Sequence, residues 1–504
     1  MAERAESTFA QDLAGRWGLR DRRAVSRLAE RLICLASLLG SDLAVLAVAF
    51  SVAARIRSSA LPVLSPAFLR HLYPLEHYAG LWWISMAYVG ALAYAGLYTR
   101  RDPYWEEVRR CVIGVTAGTI LTFAFLSVTK NTDLSRPVVV LAWGALLVLL
   151  PVARRIMKEA LFACGPWRRR ALLVGAPFAT ETLEAAFRRH RTLGYDVVEV
   201  LSDPRAAPAR AVAVGAREVI LAATQLERAE FLRLVESLRE IAENILIVPD
   251  LAEAPVLGVE VLGLMEDRAL LLRVPNNLLK PWNLALKRAF DLVVASALAA
   301  LLLPVIAAAA LAVALETGAP AFHVEPRLGR KRTLFSCLKL RTMYQNAGTL
   351  LDAYMIHDAE AAAEWKTYRK LRSFDPRVTR VGSMLRRYSL DELPQLFNVV
   401  RGEMSLVGPR PYLPSEMAML EHDGMCDVRP GMTGLWQVSG KNAFALAERA
   451  RLERWYVNNW SLWLDVIVLV KTIPAVFAPG VEHGRRTIPG GGAGVPGSKR
   501  RERV

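Results

Sequence analysis

The sequence predicts a three-part membrane protein. Its parts are an α-helical membrane bundle at the N-terminal end, a Rossmann-like α/β domain in the middle, and an α+β domain with a re-entrant membrane helix at the C-terminal end. Long apolar runs fill the first third of the chain, and short apolar runs alternate with amphipathic ones in the middle. A further run of 24 uncharged residues precedes the polar and basic last part of the 504-residue chain. A chain of this length is too long for one hydrophobic core.

Composition and charge narrow the functional classes. Hydrophobic residues make up 53% of the chain, and 64 Lys and Arg against 48 Asp and Glu leave a net charge of +16. High apolarity with excess positive charge predicts a membrane protein that presents a basic cytoplasmic side to anions. We expect no nucleic-acid partner. The five cysteines are scattered without a CxxC motif, which predicts reduced thiols rather than disulfides or a cysteine metal site.

Four apolar runs predict a transmembrane bundle at residues 32–158, after a basic N-terminal segment at 1–31. The first run is too long for a cleavable signal, and no small-residue cleavage site follows it. Basic residues concentrate before the first run, between the second and third, and after the fourth, so we expect both ends of the bundle in the cytoplasm. Asp42 lies inside the first run, where it marks either a functional polar site or a structural residue that faces the bundle interior, and we favour the structural interpretation. The four runs are 32–54, 79–98, 111–128 and 137–153.

Residues 168–265 alternate short apolar strands with amphipathic helices, the pattern of a doubly wound α/β domain. The turn after the first strand, residues 175–179, lacks the glycines of a GxGxxG dinucleotide-binding motif. We therefore favour a scaffold or regulatory module over a working cofactor site. The predicted strands are 171–176, 197–201, 218–221 and 245–248, and the predicted helices are 179–190 and 227–242.

The uncharged run at residues 292–315 is long enough to cross a bilayer. Lysines and arginines flank it on both sides, which favours a cytoplasmic location for both ends. Pro304, in the middle of the run, removes a backbone hydrogen bond and favours a kink. We therefore predict a re-entrant membrane helix at about 289–315. The alternative, an ordinary kinked span, would put residues 320–504 outside the cell.

The next part of the chain carries cations in a strand-like pattern. The alternating run at residues 335–343 predicts a strand with Lys339 and Arg341 on one face. Two cations on one face form a clamp for phosphate or carboxylate, although a solvated strand face has the same pattern. Residues 345–371 predict a long helix that serves as a lid or a packing element. A turn at 375–380 then supplies further arginines.

Asp391 and Glu392 form an adjacent acid pair that follows Arg386 and Arg387. One interpretation is a helix start, because Ser389 as N-cap with Glu392 three residues later fits a capping box. The other interpretation is chemical. A half-buried aspartate among cations is held as the carboxylate, which can act as a nucleophile or bind a divalent metal. The two interpretations are compatible.

The last part of the chain resembles a known family. Six sequence motifs in it resemble those of the catalytic domain of the bacterial sugar transferases, the monotopic polyprenyl-phosphate hexose-1-phosphate transferases. We place that domain at residues 283–478. The preceding spans and the α/β domain resemble the large members of the family, so the resemblance covers nearly the whole chain. The matching strings lie in the family order at residues 287–291, 339–343, 375–377, 389–411, 429–440 and 459–465.

The resemblance implies a reaction and the residues that perform it. In the family mechanism, Asp391 attacks the sugar-bearing phosphate of a UDP-sugar, releases UMP and forms a phosphosugar-aspartyl intermediate, which undecaprenyl phosphate then attacks. Glu392 would bind Mg²⁺, a hard cation suited to carboxylate and phosphate oxygens. Four cations are expected to contact phosphate, since positioning and charge stabilisation dominate phosphoryl transfer. They are Lys339, Arg341, Arg377 and Arg410.

The resemblance also implies a donor and a cellular setting. The string at residues 434–440 is more similar to the galactose enzymes of the family than to the glucose enzymes, so UDP-galactose is favoured over UDP-glucose. The family acts in the first step of exopolysaccharide, capsule or O-antigen assembly. We therefore expect a multi-pass protein of the bacterial inner membrane, with its catalytic domain on the cytoplasmic face in contact with membrane lipid. The large members also suggest a homodimer.

One residue departs from the family pattern. The family often has a serine before the kink proline, whereas this chain has Leu303. Serine can satisfy the backbone carbonyl that Pro304 leaves unpaired, and leucine cannot. The re-entrant geometry is therefore supported by Pro304 but not by a serine before it.

Two features lie near the C-terminal end. A cluster of aromatic residues beside the short apolar run 466–471 fits either an interfacial helix on the inner leaflet or aromatic core packing. Residues 480–504 contain a glycine- and proline-rich run and a basic end, which predicts a disordered tail. The aromatic residues are Trp455, Tyr456, Trp460 and Trp463.

Two functions of other classes remain open. A catalytically silent membrane scaffold would use the α/β domain to sense a nucleotide, and its output would not depend on Asp391. A processive glycosyltransferase would move the sugar without its phosphate and release UDP rather than UMP.

Overall fold

The chain divides into two compact units, Met1–Asp250 and Leu251–Val504, in the computed structural model. The residues that the structure describes are 2–64, 82–129, 135–222, 226–248, 260–264, 269–273, 277–358, 362, 365, 371, 375–417, 426–440 and 446–477. The predicted tail at 480–504 lies outside the described residues.

The first unit begins with the helices of the membrane region. They are α1 (Ala2–Ser59), α2 (Leu61–Leu64), α3 (Trp82–Tyr94), α4 (Tyr104–Val128) and α5 (Arg136–Cys164). Within α1, α4 and α5 are stretches long and apolar enough to cross a bilayer, and they contain three of the four predicted runs. The run at 79–98 contains α3, whose 13 residues begin directly after a stretch outside the described residues, so the fourth predicted span remains a prediction.

Buried charges join these helices. Asp42 of α1 is fully buried, and its Oδ2 accepts hydrogen bonds from Arg154 Nη1 at 2.5 Å and from the Tyr98 hydroxyl at 2.7 Å. Oε1 of Glu107 lies 3.0 Å from Arg154 Nε and 2.7 Å from Lys158 Nζ. Because buried charges are stable only when they are paired, this network orients the helices. The interpretation of Asp42 as a bundle-facing structural residue is confirmed.

A four-stranded parallel sheet completes the first unit. Its strands are β1 (Arg169–Gly175), β2 (Tyr195–Leu201), β3 (Glu218–Ala222) and β4 (Asn244–Val248), in the order β2-β1-β3-β4, and its helices are α6 (Pro177–Arg189), α7 (Ala207–Val214) and α8 (Arg228–Arg239). β1 and β3 lie in the centre, which explains their continuous apolar runs. All four predicted strands and both predicted helices are confirmed, whereas the eight-residue α7 was not predicted.

The second unit is a mixture of helices and two-stranded sheets. Its first elements are the antiparallel pair β5 (Glu260–Leu264) and β6 (Ala269–Arg273), the long helix α9 (Pro281–Thr317), and the antiparallel hairpin β7 (Phe322–Leu328) and β8 (Leu334–Leu340). They are followed by α10 (Ala347–His357), α11 (Arg380–Arg387), α12 (Gln395–Arg401), β9 (Ser405–Val407), α13 (Pro414–Met417), β10 (Gly431–Thr433), α14 (Leu435–Gly440), α15 (Leu446–Asn458) and α16 (Leu462–Phe477). β9 and β10 pair in parallel. Only the first part of the helix predicted at 345–371 is found, as α10, which ends at His357 before an extended Asp358; most of 359–371 lies outside the described residues.

α9 is a helix of 37 residues that contains the uncharged run and continues through Pro304. Its length and apolarity are those of a helix that can cross a membrane. Its re-entrant path remains a prediction.

The core of the second unit forms around α9. Ala295 of α9 packs there with Tyr456 and Trp460, which are 2% and 3% exposed, so core packing is the correct interpretation for these two aromatic residues. Lys287 of α9 adds a buried ion pair, with its Nζ 2.7 Å from Asp465 Oδ2 of α16. The same carboxylate accepts hydrogen bonds from the Tyr456 hydroxyl at 2.6 Å and from Trp460 Nε1 at 3.1 Å. The first turn of α16 is therefore fixed to α9 by a fully partnered carboxylate.

Candidate active site

The acid pair lies on a one-turn 3₁₀ helix, Leu390–Glu392, between α11 and α12. Ser389, directly before this turn, has a left-handed backbone with φ of 52°. That conformation costs a non-glycine residue roughly 1–2 kcal/mol. The Ser389 side chain does not cap the turn, and the Glu392 carboxylate bonds to Lys339 instead of to the chain before it. The capping-box interpretation is therefore wrong, and the strain is of the kind that concentrates at functional sites.

Lys339 reaches the acid pair from β8. Its Nζ donates to Oε1 of Glu392 across 3.2 Å, and both side chains are partly exposed. Asn398 of α12, which is fully buried, fixes β8 in place. Its Oδ1 accepts a hydrogen bond from the backbone N–H of Leu338 at 3.0 Å, and its Nδ2 donates to the carbonyl of Ser336 at 2.7 Å. Asn398 therefore sets where Lys339 stands relative to the acid pair.

Asp391 is half-buried beside Glu392. Burial, and then the negative charge of Glu392, raises the pKa of the Asp391 carboxyl, although Lys339 and Arg386 act in the opposite direction. We expected the surrounding cations to dominate and favour the carboxylate. Desolvation and the like charge outweigh the two cations in their effect on this pKa, and the expectation that Asp391 is held as the carboxylate remains a prediction.

Arg386 of α11 was not among the predicted phosphate contacts, yet its charge acts on Asp391. Its Nε donates to the Thr342 hydroxyl at 2.8 Å. α11 lies so close to the chain after β8 that a Cβ on Gly382 would stand 2.1 Å from the Thr342 carbonyl oxygen. Glycine at this position therefore permits the approach that brings Arg386 to the site. The signal in the sequence was the location of Arg386 five residues before Asp391.

Two of the predicted arginines have partners elsewhere in the second unit. Arg341 Nη2 donates to the Thr317 hydroxyl at 2.8 Å and to the Gly318 carbonyl, at the C-terminal end of α9. Arg377 forms a two-pronged ion pair with Asp375, with distances of 2.7 Å from Nε and 2.6 Å from Nη2. Of the four predicted cations, Lys339 is the one that the structure brings into contact with the acid pair.

Arg410 lies in the loop after β9 and is anchored through its backbone. Its N–H donates to Glu453 Oε1 of α15 at 2.8 Å, and the Tyr412 hydroxyl donates to the other oxygen of the same carboxylate. The guanidinium Nη2 lies 4.0 Å from Glu416 Oε1. Burial raises the pKa of Glu453 to about 7. Sequence reasoning missed Glu453, which lies 43 residues after the arginine whose loop it holds.

The two carboxylates of the acid pair also determine which kind of metal ion the site suits. No group of three or more His, Cys, Asp or Glu side chains in the described part of the chain forms a metal site. Two adjacent carboxylates suit Mg²⁺ when the ion takes its other ligands from substrate phosphates and water. The raised pKa of Asp391 means that Lys339 and Arg386 do not fully offset burial and the charge of Glu392. The donor set is therefore compatible with Mg²⁺ shared with a phosphorylated substrate.

Comparisons with known proteins give consistent matches. Residues 282–479 match the family described as bacterial sugar transferase. The UDP-galactose-lipid carrier transferase of Erwinia amylovora is 35% identical over 398 residues, 75% of this chain and 83% of that relative. The undecaprenyl-phosphate galactose phosphotransferase of Salmonella typhimurium is 34% identical over 398 residues, with the same coverage of 75% and 83%. The exopolysaccharide production protein ExoY of Rhizobium meliloti is 43% identical over 192 residues, 38% of this chain and 84% of its own length.

Proposed function

The chain belongs to the bacterial sugar transferase family, and from this premise we propose that it transfers hexose-1-phosphate from a UDP-hexose to undecaprenyl phosphate and releases UMP. The observation that carries the proposal is the half-buried pair Asp391 and Glu392 on a strained turn, with Lys339 3.2 Å from Glu392. The broader reaction class is a polyprenyl-phosphate sugar-1-phosphate transfer in exopolysaccharide biosynthesis. The proposed biological role is the first membrane step of exopolysaccharide, capsule or O-antigen assembly.

Asp391 is the proposed nucleophile. Its carboxylate oxygen attacks the phosphorus that carries the sugar, the bond from that phosphorus to the bridging oxygen breaks, and UMP leaves with the bridging oxygen. An oxygen of undecaprenyl phosphate then attacks the same phosphorus and releases the Asp391 carboxylate, which gives the lipid diphosphate sugar. The raised pKa supports this role, because a more basic carboxylate is a better nucleophile once it is deprotonated.

The neighbouring charges are proposed to neutralise the diphosphate. Glu392, with Asp391 beside it, would hold Mg²⁺, which when bound offsets charge on the phosphate oxygens of the donor. Lys339 and Arg386 contribute positive charge at the same place, and both already act on Asp391. Arg341, Arg377 and Arg410 remain proposed phosphate contacts. Arg377 would have to exchange its ion pair with Asp375 for the substrate.

UDP-galactose is the proposed donor, with UDP-glucose as the alternative. The preference rests on the string at residues 434–440. It is supported by the names of two relatives that match 75% of the chain, the UDP-galactose-lipid carrier transferase and the undecaprenyl-phosphate galactose phosphotransferase.

The proposed location is the bacterial inner membrane, with the catalytic domain on its cytoplasmic face. Basic residues on both sides of the uncharged run 292–315 support a re-entrant helix kinked at Pro304, whereas Leu303 does not. The parallel sheet of the first unit is proposed to be a Rossmann-like scaffold or regulatory module, since the turn at 175–179 lacks the glycines of a cofactor site. A homodimer is proposed from the resemblance to the large members of the family.

Nucleotide release tests the proposal. Membranes that contain the protein are supplied with undecaprenyl phosphate, Mg²⁺ and either UDP-galactose or UDP-glucose, and the nucleotide product is identified. UMP is expected with one donor, is lost in Asp391→Asn, and is retained in Asp352→Asn, which changes an exposed aspartate of α10. Release of UDP would support a processive glycosyltransferase, and no nucleotide with any UDP-sugar would support a silent scaffold.

A further inference from the structure

One face of the β7–β8 hairpin is apolar. In the antiparallel register, Phe322 pairs with Leu340 and Leu328 with Leu334, so the even-numbered residues of both strands share one face. Ser336 is the one polar residue on that face. The opposite face includes Phe335, which is buried in the core of the second unit.

Most of the even-numbered face is exposed in the described structure, whereas Leu340 at its base is buried against Val313 of α9. Phe322 is 40% exposed, Val324 51% and Leu334 65%. An antiparallel hairpin normally places one face on the core and presents polar side chains to water on the other. A contiguous apolar face in place of the polar one marks a site of contact with a protein or a membrane.

The tip of the hairpin is basic. Arg330, Lys331 and Arg332 form the turn between the strands, and Lys331 and Arg332 are exposed and have left-handed backbones with φ of 54° and 60°. Arg330 Nε donates to the backbone carbonyl of Asp427 at 3.1 Å, which fixes the tip to the rest of the unit. Clustered lysines and arginines beside an apolar surface complement the phosphates of anionic lipids.

The base of the hairpin adjoins the candidate membrane helix α9. The four residues 318–321 join Thr317, the end of α9, to β7. At the other strand, Arg341 directly after β8 donates to the Thr317 hydroxyl at 2.8 Å. Leu315, in the last turn of α9, is 79% exposed. An apolar surface therefore continues from the end of α9 onto the hairpin face.

We propose that the even-numbered face of the β7–β8 hairpin lies on the anionic lipid surface at which α9 ends, with Lys331 and Arg332 beside lipid phosphates. Docking of this kind holds β8 at the membrane surface. Because Lys339 belongs to β8, the site then faces a substrate that is itself anchored in lipid. The docking itself does not depend on the proposed reaction.

The test places an environment-sensitive fluorophore on the face. The full chain with Cys164→Ser and Leu334→Cys is labelled, since Cys164 is exposed while the other four cysteines are buried. It is inserted, one copy per disc, into lipid nanodiscs of phosphatidylcholine with or without phosphatidylglycerol. We expect emission at shorter wavelength and quenching by nitroxide-labelled lipid, both stronger with phosphatidylglycerol. Lys331→Glu with Arg332→Glu should reduce the quenching to its value in phosphatidylcholine alone.

A matched label at Thr182→Cys, on the exposed side of α6, should report water in both lipids. The proposal fails if the Leu334→Cys label gives the same emission as the Thr182→Cys label. It also fails if the Leu334→Cys label is shielded in multi-copy vesicles and not in single-copy discs, because a second copy would then cover the face. Neither result depends on UMP release, so failure of the docking and failure of the proposed reaction are distinguishable.

Discussion

Lys339 and Glu392 lie 53 residues apart in the sequence, and their side chains meet across 3.2 Å at the candidate active site. Both also act on Asp391, in opposite directions. The charge of Glu392 raises the pKa of Asp391, whereas the charge of Lys339 lowers it. The two partners of one ion pair therefore have opposite effects on the pKa of the proposed nucleophile.

The first prediction tests these opposite effects on the pKa of Asp391. Glu392→Gln removes the charge that raises the pKa of Asp391, and Lys339→Met removes a charge that lowers it. Because attack on phosphorus requires the carboxylate, the acid limb of the pH–rate profile should move to lower pH in Glu392→Gln and to higher pH in Lys339→Met. The rate should fall by about 10²–10³ in each variant, the usual loss when one charge-stabilising group is removed. The measurement is UMP release as a function of pH.

Lys280→Met is the matched control, since Lys280 is exposed and pairs with Asn277 before α9. Its pH profile should be that of the unmodified protein. Acid limbs that move in the same direction in Glu392→Gln and Lys339→Met would contradict the opposed roles of the two side chains.

The second prediction concerns Asn398. Asn398→Leu leaves the Leu338 N–H and the Ser336 carbonyl without their side-chain partner. An unsatisfied buried group costs about 1–3 kcal/mol, and because both of these groups are only partly buried, the free energy of unfolding should fall by roughly 2–4 kcal/mol. Thermal unfolding of the detergent-solubilised chain measures the loss. Arg401→Ala, at an exposed position of the same helix, should change it by less than about 0.5 kcal/mol, and equal losses in the two variants would show that Asn398 does not hold β8.

The fold was predictable where a hydrophobic pattern extends along a whole helix or strand, because that pattern indicates which residues are buried. The long apolar runs predicted spans within α1, α4 and α5, and the short runs predicted all four strands of the parallel sheet. For the run at 79–98, apolarity did not predict the residue at which the helix ends. There α3 ends at Tyr94, and a turn with Gly96 at φ of 81° follows within the predicted span.

Only the part of the site that is formed by residues adjacent in the sequence was predictable. The left-handed backbone of Ser389 could not be predicted, because a serine shortly before an acid pair also fits a capping box. Asn398 and Glu453 act on backbone groups 60 and 43 residues away, contacts that local spacing does not encode. Desolvation of Asp391, which raises its pKa, likewise depends on the folded surroundings.

The third prediction tests the strain at Ser389. Its φ of 52° is accessible to glycine without cost, whereas a β-branched residue is most strongly disfavoured there. Ser389→Gly should keep UMP release near the unmodified level. Ser389→Val should lower the free energy of unfolding by about 1–2 kcal/mol and reduce UMP release, because the acid pair follows directly. Similar losses in both variants would show that the serine hydroxyl, rather than the backbone, is required.

The last prediction concerns the pH dependence of stability. Burial raises the pKa of Glu453 to about 7 in the folded protein, from an ordinary value of 4.5. Between these values the folded state keeps a proton that the unfolded state releases, so stability falls as the pH rises through this window. The difference of the two pKa values corresponds to roughly 3 kcal/mol. Glu453→Gln does not titrate, so its stability relative to the unmodified protein should increase from about pH 5 to about pH 8.

Thermal midpoints of the two proteins across that pH range provide the measurement. Glutamine keeps an oxygen that accepts from the Arg410 N–H or the Tyr412 hydroxyl, so the variant should fold with its loop in place. A difference in midpoint that stays constant with pH would mean that Glu453 remains ionised in the folded protein throughout. A difference that grows in favour of Glu453→Gln would show instead that burial outweighs the two hydrogen bonds that favour the ionised carboxylate.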